Sequence, residues 1–170
     1  MSSVALARKA QRVDAVGVLR AQVRDIHRAL DQGLIASLRS LATAAPLDEP
    51  LVVALYVHAA TVEDVTIQSL LRRVAPVYTT HWAGKGPARY SMADLAPMLA
   101  YAQQVFAATE AYLDGLGPDE VNAQVDLERL GQGKPTVAWI VSKFVVLQLC
   151  KIYGELASAS RSSVRRSGRL

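Results

Sequence analysis

Three histidines, one cysteine and an adjacent acidic pair carry most of the chemistry that this chain of 170 residues can offer. His58 sits in VVALYVHAATVEDV, an apolar helix-like run from Val52 to Val65, and is followed by Glu63 and Asp64. An imidazole in such a run can be a metal ligand, a base, or a core residue whose ring nitrogens have found partners. The last reading requires those partners, because an unpaired buried polar group costs on the order of 1–3 kcal/mol. Cys150 falls on the apolar side of a second run, where a free cysteine behaves as a small hydrophobe. Only Lys151 stands near enough in sequence to activate its thiol. Ser142 and Thr66 have no histidine at helical spacing, so neither reads as an activated nucleophile. Gly84, Gly86 and Pro87 in HWAGKGPARY follow no phosphate-cradle pattern. His81, Trp82 and Tyr90 lie in that same stretch, where the aromatics either line a pocket mouth or pack an end of the fold.

The elements that must position these groups have helical period, and no stretch alternates as a strand would. Val16, Leu19, Val23, Ile26, Leu30, Leu34, Ser37 and Leu41 step by three and four, with Arg20, Arg24, His27 and Asp31 on the other side. That arrangement makes His27 a solvent-facing residue. A second run begins after Pro50, a good first-turn residue, and its stripe is Leu51, Leu55, His58, Val62, Val65 and Ser69. In the third, Ser91 and Asp94 suit a helix start, and Leu95, Leu99, Ala102, Phe106, Thr109 and Leu113 form the inner face. Gly115, Gly117 and Pro118 end it. The fourth follows GQGKP, with Val137, Val141, Phe144, Gln148 and Ile152 on one face.

The spacing therefore predicts an all-α fold with helices over 14–43, 51–73, 92–115 and 136–158. Four such stripes can be buried together as a four-helix bundle. A short link makes the first two helices antiparallel neighbours. The connections between helices 2 and 3 and between helices 3 and 4 are long for a bundle, which allows a topology other than simple up-and-down.

Composition fits one soluble domain with a real core: 51% of the residues are hydrophobic, with 10 Gly and 7 Pro. A single cysteine excludes an internal disulfide framework and suits the cytoplasm. The start, MSSVALARKAQR, lacks the apolar segment of a secretory signal. LAPMLAYAQQVFAAT, broken by Pro97 and two glutamines, is too short and too polar to span a membrane. The net charge of +4 resides in the ends. Arg8, Lys9 and Arg12 lie in segment 1–12, and Arg161, Arg165, Arg166 and Arg169 in segment 159–170; both are expected to be flexible basic tails. Without those cations the bundle, residues 13–158, carries about −3, which argues against nucleic acid as a partner.

YVHAATVEDVTIQSLL and the later TVAWIVSKFVVLQLCKIYGEL resemble the DinB/YfiT-like superfamily of four-helix bundles. The likeness spans roughly Asp14 to Ala157 in helix order, spacing and length. It rests on a histidine followed by an acidic pair in helix 2, and on a helix 4 that opens with Thr-Val and closes with Gly-Glu-Leu. Many members of that superfamily hold a divalent metal with one histidine of helix 2 and two of helix 4, four apart and just before a glycine. Members with the site intact include thiol-dependent transferases and isomerases.

Carried onto this chain, the resemblance puts His58 at the helix 2 position and, counting from Gly154, Gln148 and Ile152 at the other two. Isoleucine has no donor atom and an amide oxygen is a weak ligand, too little for a first-row metal. Glu63 and Asp64 point away from the face of His58, and His81 approaches it only if the helix 2–3 link folds over the end of the bundle.

The expectation is thus a DinB-like bundle with a degenerate metal site and no cofactor, acting as a small-molecule-binding or interaction module. Its possible pocket is formed by His58, Gln148, Ile152, His81 and Trp82. In it His58 is buried and bonded to Gln148, to a backbone group or to water. The alternative is a mycothiol- or bacillithiol-type S-transferase or isomerase, with Ni, Zn, Fe or Mn in a site rebuilt around His58 and His81. A third reading is a homodimer, for which Val53, Val57, Ala60, Ile67 and Leu71 offer a second apolar stripe unless they complete the monomer's own core.

Overall fold

Every member of the first stripe from Val16 to Ser37 is buried in the computed structural model. The structure describes the backbone of residues 3–43, 49–78 and 95–167, and the side chains of 16–37, 52–78 and 95–158. Helix α1 is Ser3–Thr43. Helix α2, Glu49–Asp64, runs directly into a wider π-helical turn over Val65–Leu71. Helix α3 is Leu95–Gly115, and a short α4 covers Pro118–Val121. The last rod is α5, Val137–Ile140, a second π-helical stretch Val141–Val146, and α6, Leu147–Ser167. No strand occurs among the described residues, so the fold is all-α.

Backbone helix thus begins at Ser3 and ends at Ser167, outside the limits of 14 and 158 expected from the apolar stripes. Ser91 and the segment 79–94, with His81 and Trp82, lie outside the described residues. The side chains of both basic tails also lie outside them.

Helix α1 packs chiefly against α6, and α2 against α3 and α6; α1 meets α2 less extensively than it meets α6. The core joins Val23, Leu30 and Leu34 of α1 to Tyr56, Ala60 and Ile67, to Met98, Tyr101 and Val105, and to Val145, Leu149 and Leu156. Phe106, Thr109 and Leu113 are buried on the expected face of α3, and Val137, Val141 and Ile152 on that of the last rod.

Helix α2 is rotated relative to the stripe expected for it. Its buried residues are Val52, Val53, Tyr56, Val57, Ala59, Ala60, Glu63, Asp64, Thr66, Ile67 and Gln68. Leu55 and Val62 are half-buried, while His58, Val65 and Ser69 are exposed. The helix is apolar nearly all round, so two faces satisfy a 3.6-residue period about equally. The core-facing one carries the two acids, which periodicity assigns to the outside. The second stripe, Val53, Val57, Ala60 and Ile67, therefore belongs to the monomer's core and is not free for a partner.

Two residues past the π-helical turn of α2 stands Arg73, a non-glycine residue in the left-handed region with φ 58°. The N–H groups of Arg72 and Val74 donate to the carbonyls of Ile67 and Gln68, both at 2.9 Å. Between α4 and α5 the chain folds back on itself. Val125 and Leu127 donate to the carbonyls of Pro135 and Gly133, each at 2.8 Å. Gly131 and Gly133, at φ 68° and 66°, make the reversal in a region that favours glycine. Thr136 then caps α5 by accepting the N–H of Trp139 at 3.2 Å.

Val137–Ser158 is long and apolar enough to cross a membrane by length and composition, with a mean hydropathy of 1.4, although Lys143, Lys151 and Glu155 interrupt it. Seven of its residues, Val137, Ile140, Val141, Val145, Leu149, Ile152 and Leu156, face the core. Leu147 is 59% exposed on its outer side.

Candidate functional site

Arg20, Arg24 and His27 repeat along α1 by four and three, the same step as the apolar stripe beside them. The three side chains form a polar seam against α3. Arg20 closes the C-terminal end of α3: its Nε donates to the Leu113 carbonyl at 2.9 Å, and a terminal nitrogen donates to the carbonyls of Asp114 and Leu116 at 3.0 and 2.9 Å. A guanidinium there satisfies carbonyls that the helix itself leaves unpaired, and it opposes the negative end of the helix dipole. Arg24 reaches Asp114 with a terminal nitrogen at 2.7 and 2.9 Å, and Glu110 with Nε at 3.4 Å.

His27, one turn further, is 4% exposed. Its Nδ1 lies 2.8 Å from Glu110 Oε1 and its Nε2 lies 2.9 Å from Glu63 Oε2. The ring stacks on Phe106 at 4.1 Å between centroids, with 12° between planes. Glu63 is fully buried, and both of its oxygens lie within hydrogen-bond distance of that single Nε2. Glu110, by contrast, is 32% exposed at its side chain.

Burial pulls the imidazole toward its neutral form, but hydrogen bonds to Glu63 and the charge of Glu63, with the same contributions from Glu110, more than offset it. The net effect raises the His27 pKa above its ordinary value, favouring the imidazolium. A doubly protonated ring supplies one N–H to each carboxylate, which is the state this geometry calls for.

Two further buried groups, Asp64 and Tyr56, tie helices together in the interior. Asp64 accepts the N–H of Val77 at 3.1 Å, the N–H of Tyr78 at 2.8 Å and the hydroxyl of Tyr101 at 3.1 Å. The carboxylate thereby fastens the chain leaving α2 back onto α2 and onto α3. Tyr56 donates its hydroxyl to Asp31 at 2.6 Å, joining α2 to α1. Burial, then the hydrogen bond to Asp31, push the Tyr56 phenol up, so it stays a donor.

The interior thus answers the opening question about histidine differently from the sequence. His27, expected at the surface, is the buried one, and His58, expected in the core, is exposed. No hydrogen bond joins His58 to Gln148 among the described residues; Gln148 is half-buried, and Ile152 is 4% exposed in the core. Cys150, expected on the apolar side, is exposed because the inner face of α6 runs through Leu149, Ile152 and Leu156. Glu63 and Asp64 do point away from the face of His58, as their spacing requires, and that direction is the core. The signal for the missed histidine lay in complementary spacing: bases at 20, 24 and 27 on one helix, acids at 110 and 114 on another.

Neither set of residues suits a metal. His58, Gln148 and Ile152 supply one imidazole and one amide, on surfaces of different burial. Glu63 and Glu110 meet opposite edges of the His27 ring, so the imidazole separates them and the three do not converge. Among the described residues no group of three or more His, Cys, Asp and Glu side chains is placed to hold a metal ion. A depression of about 420 Å³, lined by Leu70, Asp126, Leu127, Glu128, Arg129 and Leu130, involves none of these histidines.

Compared with models of known families, with curated proteins and with solved structures, the chain matches none.

Proposed function

We propose that the chain is a four-helix bundle of the DinB-like kind, with long connections after its second and third helices, and that it works without a metal. In this reading it is a cytoplasmic module that acts by non-covalent binding of a small molecule or a second copy of itself. The four long rods, α1, α2 with its π turn, α3, and the rod from α5 to α6, support the bundle.

The observation that carries the functional part is the donor set at the three positions where the resembled family holds its metal. There this chain has an exposed histidine, a half-buried amide and a buried isoleucine. The buried ionisable groups of the interior, His27, Glu63 and Asp64, are bonded to one another or to backbone and tyrosine, so none is left to act on a substrate. A thiol-dependent transferase needs a metal or an activated nucleophile, and these residues provide neither.

Arg20 and Arg24 face the acids and carbonyls of α3, so these two cations are turned toward the protein itself, and the body's net charge of about −3 speaks against a nucleic acid. The seven core-facing residues of Val137–Ser158 support a helix packed in a bundle along one of its faces. A homodimer has to use a face other than the buried stripe of α2. The exposed Leu147 and Trp139, 59% and 38% exposed, supply apolar surface on the last rod.

Elemental analysis of protein purified without an affinity tag tests the reading, with light scattering on the same sample. Less than a tenth of an equivalent of nickel, zinc, iron or manganese is expected. Near-stoichiometric metal, lost with His58→Ala, overturns the reading and installs the transferase in its place.

A further inference from the structure

Three carboxylate and imidazole groups in a row, one buried, one at the edge and a ring between them, constrain one another more tightly than a simple ion pair. The imidazolium has two N–H donors and uses both, Nδ1 toward Glu110 at 2.8 Å and Nε2 toward Glu63 at 2.9 Å. A neutral imidazole has one N–H and one lone pair. On losing a proton, the ring must turn a lone pair toward one of the two carboxylates.

The two carboxylates are not equivalent recipients of that repulsion. Glu63 is fully buried, and its oxygens share the one Nε2–H. Without that bond a buried carboxylate stays unsatisfied. Glu110 is partly exposed and already has Arg24 Nε at 3.4 Å from its second oxygen, so water and a guanidinium can take over its bonding.

We propose that His27 is a proton-operated catch between helices: charged, it clasps Glu63 of α2 and Glu110 of α3 at once; neutral, it keeps Glu63 and lets Glu110 go. The surviving proton sits on Nε2. The α1–α2 contact is then held in both states, and the upper part of the α1–α3 seam loosens in one of them.

The charged groups around the catch act consistently with this. From α2 it is faced by Glu63, with Tyr56 engaged by Asp31. From α3 come Glu110 and, one turn on, Asp114, and α1 itself contributes Arg20, Arg24 and Asp31. The last rod, packed on α1, brings no titratable side chain into a hydrogen bond or ion pair with any of them among the described residues. Arg24 bonds Asp114 at 2.7 Å through a pair that does not include the ring, so the proposed release is confined to Glu110 and leaves the helix attached. Burial opposes the charged ring and the two carboxylates favour it, which places the release on the alkaline side of an ordinary histidine.

The chain has three histidines, so His58→Gln with His81→Gln leaves His27 as the sole imidazole, with Glu63, Glu110 and Arg24 unchanged. Nitrogen-15 NMR of that variant, titrated from acid to alkaline pH, reads both the proton and its position. We expect titration above 6.5, the ordinary value, and an Nε2–H tautomer at high pH. Backbone shifts should change around Arg24 and Glu110 and stay nearly still around Glu63. Glu110→Gln should lower the midpoint while leaving the tautomer unchanged. An Nδ1–H tautomer at high pH, a midpoint at or below that of an exposed histidine, or shifts concentrated on α2 would each overturn the proposal. Glu110 is partly exposed, so its variant folds and the comparison can be made even if Glu63→Gln does not.

Discussion

The surroundings of His27 and of His58 differ in what the neighbouring helix brings to the ring. Around His27, α2 brings a fully buried carboxylate and α3 a second one with a flat aromatic face behind it. Around His58, α2 turns toward solvent and no described residue bonds the ring. The segment of α1 holding His27 is rich in charge, and that of α2 holding His58 is nearly all apolar. Burial of an ionisable side chain therefore follows the partners offered across an interface, and the polarity of its own helix is a poor guide. An imidazole among valines stays outside when nothing across the gap can pair with it.

The comparison breaks if the two histidines respond alike to removal. His27→Leu leaves Glu63 buried and unpaired and is expected to cost about 3–5 kcal/mol of unfolding free energy. His58→Leu is expected to change it by less than about 0.5 kcal/mol. Urea denaturation of the two variants makes the measurement. Adding Glu63→Leu to His27→Leu should recover most of the loss, because the uncompensated buried carboxylate is then gone.

Asp64 sharpens the contrast within the acidic pair, since it pairs with backbone rather than with a base. Asp64→Ala removes the acceptor shared by the N–H groups of Val77 and Tyr78 and the Tyr101 hydroxyl, with an expected cost of about 2–3 kcal/mol. Its effect should not depend on the state of His27.

A smaller change comes from pH alone. The folded pKa of His27 is raised, so the native state holds a proton where the unfolded chain has released it. That stabilisation is whole below the ordinary value of 6.5 and is lost as pH rises through the raised value. Unfolding free energy should therefore fall on the alkaline side, by less than His27→Leu removes, because the Nε2 bond to Glu63 survives. In the His58→Leu variant the same fall should persist; its disappearance there would assign the titration to the wrong ring.

A further small effect concerns the end of the molecule where the resembled family places its glycine. A Cβ added at Gly154 meets nothing within 4 Å. Gly154→Ala should raise stability by up to about 1 kcal/mol through helix propensity. A loss on thermal melting would mean that this position is held for a close approach.

Much of the fold was legible in single helices. The α1 stripe from Val16 to Ser37 and the inner positions of α3 from Ala102 to Leu113 are buried where the period puts them. In those helices the polar side is polar enough to select one phase. Helix α2 gave two phases of similar apolarity, and the acids that decide between them are buried only because His27, Tyr101 and a returning backbone await them. The π-helical turns over Val65–Leu71 and Val141–Val146 add to the difficulty, since each shifts the phase that follows it. The candidate site was illegible for the same reason. It is made of residues from three helices, and a one-helix pattern holds only a third of it.

The Asp64 fastening also bears on the order in which the molecule assembles. Its bonds to Val77 and Tyr78 span 13 and 14 residues, whereas those from His27 to Glu110 and from Arg20 to Leu116 span 83 and 96. Closing the longer loops costs about 1.5 kcal/mol more in chain entropy. The turn after α2 can thus form while the α1–α3 seam is still open, and the seam is expected to close after it. Arg24→Ala should then hasten unfolding and leave the refolding rate nearly unchanged in stopped-flow experiments. Slower refolding would put the seam inside the nucleus.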